Sequence, residues 1–143
     1  MRAVLIGLAA VSMATPAIAE TWNPYSRSAN NVFMADVDSI TTTGEITSVA
    51  VATTPRNTGA GDYSHSIETY EFQCGSGTWR TAGLVEHGPD GAETERFPEE
   101  NAAWEPVRAG TMPALVKAIA CDGVRAVPPT WPSIRAFIDA GRP

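Results

Sequence analysis

Two histidines are the first residues in this chain that could do acid–base or metal chemistry. Histidine is the commonest general base and zinc ligand, and the chain has only His65 and His87. Both stand in polar, turn-like sequence without a partner at metal-ligand spacing, which favours solvated loop histidines. Ser64 and Ser66 flank His65, but adjacent strand residues point to opposite faces, so they cannot form a nucleophile–base pair.

Two groups of carboxylates could bind calcium or serve as an acid and a base. The larger group is Glu93, Glu95, Glu99 and Glu100. No Asp-x-Asp-x-Asp-Gly loop accompanies it, so a solvated face is the better interpretation. Asp36 and Asp38 share one face of a predicted strand, where acceptance of backbone N–H bonds at a turn favours a structural role.

Glycines and tryptophans give no ligand-binding signature. Gly59-Ala-Gly61 and Gly75-Ser-Gly77 lack the spacing and the lysine of a phosphate loop and are predicted to be turn glycines. The tryptophans, which are spread evenly and favour core or sheet-covering roles over sugar stacking, are Trp22, Trp79, Trp104 and Trp131. The sequence therefore predicts no catalytic, cofactor-binding or metal-binding residue, and we expect a protein that is not an enzyme and needs no cofactor.

Two cysteines, Cys74 and Cys121, are predicted to form a disulfide. An even count in an exported chain usually means pairing, and the spacing is neither that of a zinc site nor that of a C-x-x-C redox pair. Closing so long a loop contributes about 4 kcal/mol in the chain-entropy model.

The N-terminus predicts a signal peptide over residues 1–19. Met1 and Arg2 precede an apolar run over 3–11, and Ala17-Ile18-Ala19 is a small-residue exit. The apolar run is short for a hydrocarbon core of about 30 Å, so cleavage after Ala19 is expected, with no integral membrane segment afterwards. We expect an exported protein that is periplasmic, at the cell surface or secreted.

The net charge of the mature chain limits the classes of partner that it can attract. Losing Arg2 with the leader leaves nine Lys and Arg against sixteen Asp and Glu. This acidic balance argues against nucleic acid and against an anionic membrane surface as partners. The remaining length suits a single domain with one modest core.

The elements that must position these residues begin with β-strands. Period-two and β-branched patterns predict strands over 31–40, 45–52, 67–74, 78–86 and 92–97. Short turns with Gly44 and with Gly75-Ser-Gly77 join consecutive strands into antiparallel hairpins. The pattern indicates a small antiparallel meander of about five to six strands.

Helical patterns follow the strands. Thr111 is a candidate cap for a helix that ends at Cys121, and a shorter helix is predicted over 130–140. The predicted fold class is α+β, with the sheet packed by one helix and a short C-terminal helix. We divide the chain into the signal peptide (1–19), an α+β domain (20–123) and a C-terminal helical extension (124–143) that packs on the domain.

A series of motifs over about residues 22–121 resembles the surface-adhesin protein E-like family. The matching residues are Trp22, Asp36-Val-Asp-Ser39-Ile40, Gly44, Ser66, Tyr70-Glu-Phe72-Gln-Cys74, Trp79-Arg80, Gly91, Trp104-Glu-Pro106-Val107-Arg-Ala-Gly110-Thr111 and Cys121. In order and spacing they are similar to that family's D-x-x-S-I, aromatic-x-C and W-x-P-I-x-P-G-S segments. Ala109 and Thr111 replace the proline and serine of the last motif, and the tail after Gly123 extends past the resemblance.

The resemblance implies an antiparallel sheet packed by a helix, a Cys74–Cys121 disulfide and adhesion to extracellular proteins, with a homodimer as one option. The leading hypothesis is therefore an exported, non-enzymatic envelope protein that binds an extracellular or envelope protein through a strand edge or loop. One alternative is a periplasmic small-molecule binder with a pocket between sheet and C-terminal helix, where Trp131 or Trp104 stacks on a ligand. The other is a small hydrolase built on His65 or His87.

Overall fold

The computed structural model describes residues 19–143, so residues 1–18 of the predicted signal peptide lie outside the described part. The strands are β1 (Trp22–Arg27), β2 (Asn31–Thr43), β3 (Ile46–Pro55), β4 (His65–Gln73), β5 (Thr78–His87), β6 (Glu93–Pro98) and β7 (Glu105–Pro106). The helices are α1 (Met112–Asp122) and α2 (Ile134–Asp139). Within residues 19–143, no helix has the length and apolar character needed to span a bilayer.

The sheet is an antiparallel meander in the order β1 to β6, and β7 pairs with the end of β5. This confirms the predicted α+β class and the meander. The structure adds two strands to the five predicted by sequence pattern. Pro24 and a bulge between Pro24 and Ser26 interrupt the alternation of β1, which explains why the sequence pattern did not show this strand.

Helix α1 packs on one face of the sheet. Val116 and Ile119 join Ala35, Val49 and Phe72 in one buried cluster. Gly123 ends the helix in the left-handed conformation, as glycine does most readily. The predicted side-chain cap is wrong in detail, because the Thr111 hydroxyl donates to the carbonyl oxygen of Arg108 at 2.6 Å instead of accepting a helix N–H.

Helix α2 packs on the opposite face and at the opposite end. Phe137 and Ile138 form a second buried cluster with Trp22, Met34 and Ala52. Alternation along the strands separates the two clusters, because neighbouring residues such as Val51 and Ala52 point to opposite faces. The helix is shorter than predicted, since residues 130–133 form a bridge and a cap before it.

Candidate protein-interaction edge

The D-x-x-S motif repairs a gap in the sheet. Between Asp36 and Thr41 the pairing of β2 with β3 is interrupted. The Ser39 hydroxyl donates to the Asp36 carbonyl at 2.7 Å and accepts the Ala50 N–H at 2.9 Å, bridging the gap. A carboxylate oxygen of Asp36 accepts the backbone N–H groups of Thr21 and Asp38. Asp36 and Ser39 therefore have structural roles, and the predicted structural use of Asp36 agrees with these contacts.

The disulfide joins the two halves of the α1-side core. Cys74 follows β4, Cys121 lies in the last turn of α1, and the two are bonded in the structure. Both sulfur-bearing residues pack against the cluster of Val116 and Phe72. The bond therefore ties α1 to the centre of the sheet rather than to either edge strand.

The histidines are not the solvated loop residues expected from sequence, so that interpretation is wrong. His65 begins β4, His87 ends β5, and the pair lies in register across the two strands. Their rings stack with centroids 4.2 Å apart and planes 7° apart. Burial lowers the pKa of His65, and its Nδ1 lies 2.7 Å from the Tyr63 carbonyl oxygen.

Parallel imidazole rings direct their in-plane nitrogen lone pairs side by side and not toward one point, so the histidine pair does not form a two-histidine metal site. Among residues 19–143, no group of three or more His, Cys, Asp or Glu is placed to hold a metal ion. The stacked rings instead form a cross-strand contact between the start of β4 and the end of β5.

The tryptophans considered as ligand platforms have intramolecular partners. Trp131 forms a T-shaped contact with Phe137, and Arg80 lies over the Trp104 ring at 4.3 Å. Arg80 also forms an ion pair with Glu71 at 2.6 Å. Trp131 also lines a cavity of about 140 Å³ with Pro24 and Val127, which is smaller than typical small-molecule sites.

A cleft of about 420 Å³ lies between two hairpin turns. Its lining residues are Thr42, Gly44, Glu45, Thr47, Gln73, Cys74, Gly75 and Ser76. The lining has no aromatic side chain, whereas small-molecule sites are mostly lined by apolar and aromatic groups.

The outer edge of β1 is covered by the C-terminal segment. Trp22 and Trp131 exchange two backbone hydrogen bonds of 2.8 and 2.9 Å. The side chain of Asn23, which is fully buried, accepts the Ala126 N–H at 2.7 Å and donates to its carbonyl at 3.4 Å. Pro24 has no N–H to offer a partner strand. Residues 126–131 therefore cover the start of β1, where an added strand would otherwise pair.

The outer edge of β6 is open. Within the described residues β6 pairs only with β5, and all six of its residues are exposed. Phe97 is 49% exposed, so about half of the residue's surface is available to a partner. An edge strand of this kind presents unpaired N–H and C=O groups to solvent.

Glycine allows β6 to approach β5 closely. Gly83 has a φ of 140°, and a Cβ there would lie 3.2 Å from the Phe97 carbonyl oxygen. A side chain at this position would therefore strain the backbone and displace β6.

The sheet face beside β6 is acidic and lies on the same side as α1. Lateral pairing aligns Val51 with Glu68, Glu68 with Leu84, and Leu84 with Phe97. Because Val51 belongs to the cluster under α1, the whole row lies on that face, beyond the part that the α1-side cluster occupies. The next row places Glu86 against Glu95.

Glu99 extends the same face, because its carboxylate accepts the Thr81 hydroxyl at 2.7 Å and Thr81 is in register with Tyr70. We call the set of Glu68, Leu84, Glu86, Glu95, Phe97 and Glu99 the acidic face. Burial raises the pKa of the Glu68 carboxyl, and the negative charge of Glu99 adds to the rise. In the part of the chain that the structure describes, none of these four carboxylates forms an ion pair with Lys or Arg.

Sequence reasoning placed Glu95 and Glu99 on a solvated face but missed Glu68 and Glu86. The sequence pattern does not show which residues are neighbours across strands. Only the pairing register of β4, β5 and β6 brings the four carboxylates together.

Comparison with known proteins gives a family. A family model described as surface-adhesin protein E matches residues 22–122. No curated protein and no solved structure matches the chain significantly. The matched range runs from the start of β1 to the end of α1, so it includes β6 and the disulfide and excludes α2.

Proposed function

Because the chain belongs to the surface-adhesin protein E family, we propose that it is an exported, non-enzymatic protein that binds another protein through the open edge of β6. The observation that carries this proposal is the contrast in edge pairing. The C-terminal segment covers β1, whereas β6 is fully exposed and unpaired on its outer side within the described residues. Strand addition to such an edge is a common mode of protein recognition.

The motifs that the chain shares with its family support the fold and not the recognition surface. Asp36 and Ser39 repair the β2–β3 pairing, and Cys74 and Cys121 fasten α1. The binding surface is therefore expected among residues without a structural role of this kind, and the exposed side chains of β6 meet that condition.

The proposal includes export and a division of the chain. Residues 1–19 would be removed as a signal peptide, residues 20–123 would form the family domain, and residues 124–143 would be an extension packed on it. The disulfide and the contacts of α2 with Trp22 support these assignments. N-terminal sequencing of the purified exported protein tests the first, and a start at Glu20 is expected.

The small-molecule alternative has less support. Trp131 and Trp104, which were its candidate stacking residues, already contact Phe137 and Arg80. The hydrolase alternative is weakened because His65 and His87 stack on each other, and the cross-strand neighbour of Ser66 is Glu86 rather than a histidine.

Binding to purified proteins tests the proposal. The mature chain is immobilised, and purified extracellular-matrix and envelope proteins are passed over it in an optical binding assay. We expect saturable binding of at least one protein, weakened tenfold or more by Phe97→Lys, because a charge then replaces the central apolar contact. Val127→Lys is the matched control, since Val127 is 85% exposed and lies beside the covered edge.

Equal binding by both variants and the unchanged chain would place the contact elsewhere and contradict the β6 assignment. Absence of binding to every protein tested, with a folded sample, would contradict the binding function in this form.

A further inference from the structure

We propose that the acidic face and the open edge of β6 together bind an extended strand of a partner protein in which basic and apolar residues alternate with small polar ones. This inference rests on the proposed function and specifies the chemistry of the partner. Its basis is the lateral alignment of Glu68, Leu84 and Phe97, and of Glu86 with Glu95, beside an unpaired edge.

The backbone of β6 determines the shape of the partner. Its outer backbone groups are unpaired within residues 19–143, although Pro98 has no N–H and a bulge interrupts the strand between Glu93 and Glu95. A new strand can therefore pair with β6 mainly over residues 95–97, at the usual spacing of about 4.8 Å. A helix offers no free backbone groups to such an edge, because its own are already bonded. The occupant is therefore an extended segment centred on residues 95–97.

The side chains of β6 determine the sequence pattern of the partner. In an added strand, alternate residues would face the acidic face, one beside Phe97 and the next beside Glu95. An apolar side chain suits the first position and Lys or Arg suits the second. On the other face Arg96 already pairs with Glu93 at 2.6 Å, so small uncharged residues suit the positions between.

Charge selects the partner over its competitors. Glu68, Glu86, Glu95 and Glu99 lie on one face without a basic partner in the described part of the chain. Such a one-sign surface attracts cationic segments and repels anionic lipid and nucleic acid. It also repels a second copy of the same face, because like charges would then oppose each other across the interface.

Glu68 contributes to the negative charge of the acidic face without touching the partner. It lies two strands from the open edge, in the row that ends at Phe97, where the added strand would carry an apolar residue. Its carboxylate therefore acts on a basic partner through the field of the whole face. Burial raises the pKa of the Glu68 carboxyl, so this contribution is lost as the pH falls, and we expect stronger binding at neutral pH than at acid pH.

A synthetic peptide is the probe. Nine residues of alternating type, Lys-Thr-Leu-Thr-Lys-Thr-Leu-Thr-Lys, place all charges and apolar groups on one side of a strand. We expect saturable binding to the mature chain, weakened about fivefold by the double substitution Glu86→Gln and Glu95→Gln, which removes two partly exposed charge contacts. The control removes two exposed carboxylates away from β6, with Glu45→Gln in the β2–β3 turn and Asp122→Asn at the end of α1, and should leave the affinity unchanged.

Backbone pairing is tested on the same peptide. N-methylation of alternate residues blocks one edge of a strand, so one of the two N-methylated series should lose binding and the other should retain it. Equal binding of both series, or equal binding of a scrambled peptide or of polylysine, would show unspecific charge attraction and overturn the proposal. A dimer in analytical ultracentrifugation that Phe97→Lys dissolves would identify a second copy as the occupant and overturn it as well.

Failure of this inference differs from failure of the proposed function. If a purified extracellular protein binds and Phe97→Lys abolishes that binding, yet the glutamine variant binds it as tightly as the unchanged chain, then β6 is the site and the basic pattern is wrong. If the patterned peptide binds as predicted and no purified protein does, the partner chemistry of the acidic face stands and the proposed binding of an extracellular or envelope protein is contradicted.

Discussion

The two edge strands of the sheet differ in what completes them. At β1 the chain supplies its own cover: Trp131 pairs with the backbone of Trp22, and Asn23 holds Ala126. At β6 nothing within residues 19–143 pairs with the outer side, and every residue is exposed. Since an exposed edge invites pairing with other chains, a protein that covers one edge and leaves the other open restricts strand addition to one place.

The family match sharpens this difference. It ends at residue 122, so the segment that covers β1 lies beyond it, whereas β6 lies within it. The cover at β1 is thus a feature of the part of this chain outside the family model, and the open β6 edge is part of the matched domain.

Two aromatic substitutions should show the largest contrast between the edges. Phe137 is fully buried on the β1 side, so Phe137→Ala should lower the free energy of unfolding by about 3 to 5 kcal/mol. Phe97→Ala on β6 should lower it by only about 1 kcal/mol, because the residue is 49% exposed. Chemical denaturation of both variants measures the difference, and similar losses would contradict the description of β6 as open.

Removal of the disulfide should have the next largest effect on the free energy of unfolding. It should not change the contacts of either edge strand directly, because the bond joins α1 to the end of β4. Cys121→Ser should lower stability by about 2 to 4 kcal/mol, because the bond closes a loop with a sequence separation of 47 and ties α1 to β4. Peptide binding to the folded fraction should be unchanged. Two free thiols in the unreduced, denatured protein would contradict the bond itself.

Loss of the Asn23 side chain should loosen the cover of β1. Asn23→Ala leaves the backbone groups of Ala126 without their partner and should cost about 1 to 3 kcal/mol. Limited proteolysis should then cleave within 124–131 faster than in the unchanged chain. Asn57→Ala, an exchange in a surface loop, serves as the control and should leave the cleavage rate unaltered.

The smallest expected effect is a pH dependence on the β6 side. The folded-state pKa of Glu68 is raised by burial, so the folded protein binds its proton more tightly than the unfolded chain does. Stability should therefore fall as the pH rises from the ordinary carboxyl range toward neutrality, and Glu68→Gln should remove that part of the slope. Thermal melts across this range measure it, and an unchanged slope in the variant would contradict the assignment.

Local patterns in the sequence predicted much of the fold. Gly44 and Gly123 marked a turn and a helix end, and alternation along the chain marked the long strands. The order of hairpins followed from the short connections, so the meander could be predicted. Strand β1 could not, because Pro24 and its bulge break the alternation that the prediction used.

The candidate site depends on which residues are neighbours across strands, and local sequence patterns do not show this. His65 and His87 are separated in sequence, and only the register of β4 with β5 stacks them. Glu68 and Glu86 likewise join Glu95 through pairing across three strands. Without that register, the sequence alone does not distinguish separate surface carboxylates from carboxylates that share one acidic face.

Hydrogen–deuterium exchange of the mature chain, with and without the alternating peptide, tests the central claim most directly. We predict that the peptide slows exchange of amides in β6, residues 93–98, and leaves β1, residues 22–27, unchanged because the C-terminal segment already covers that edge. Protection that appears in β1, or in the β2–β3 turn, with none in β6 would contradict the account.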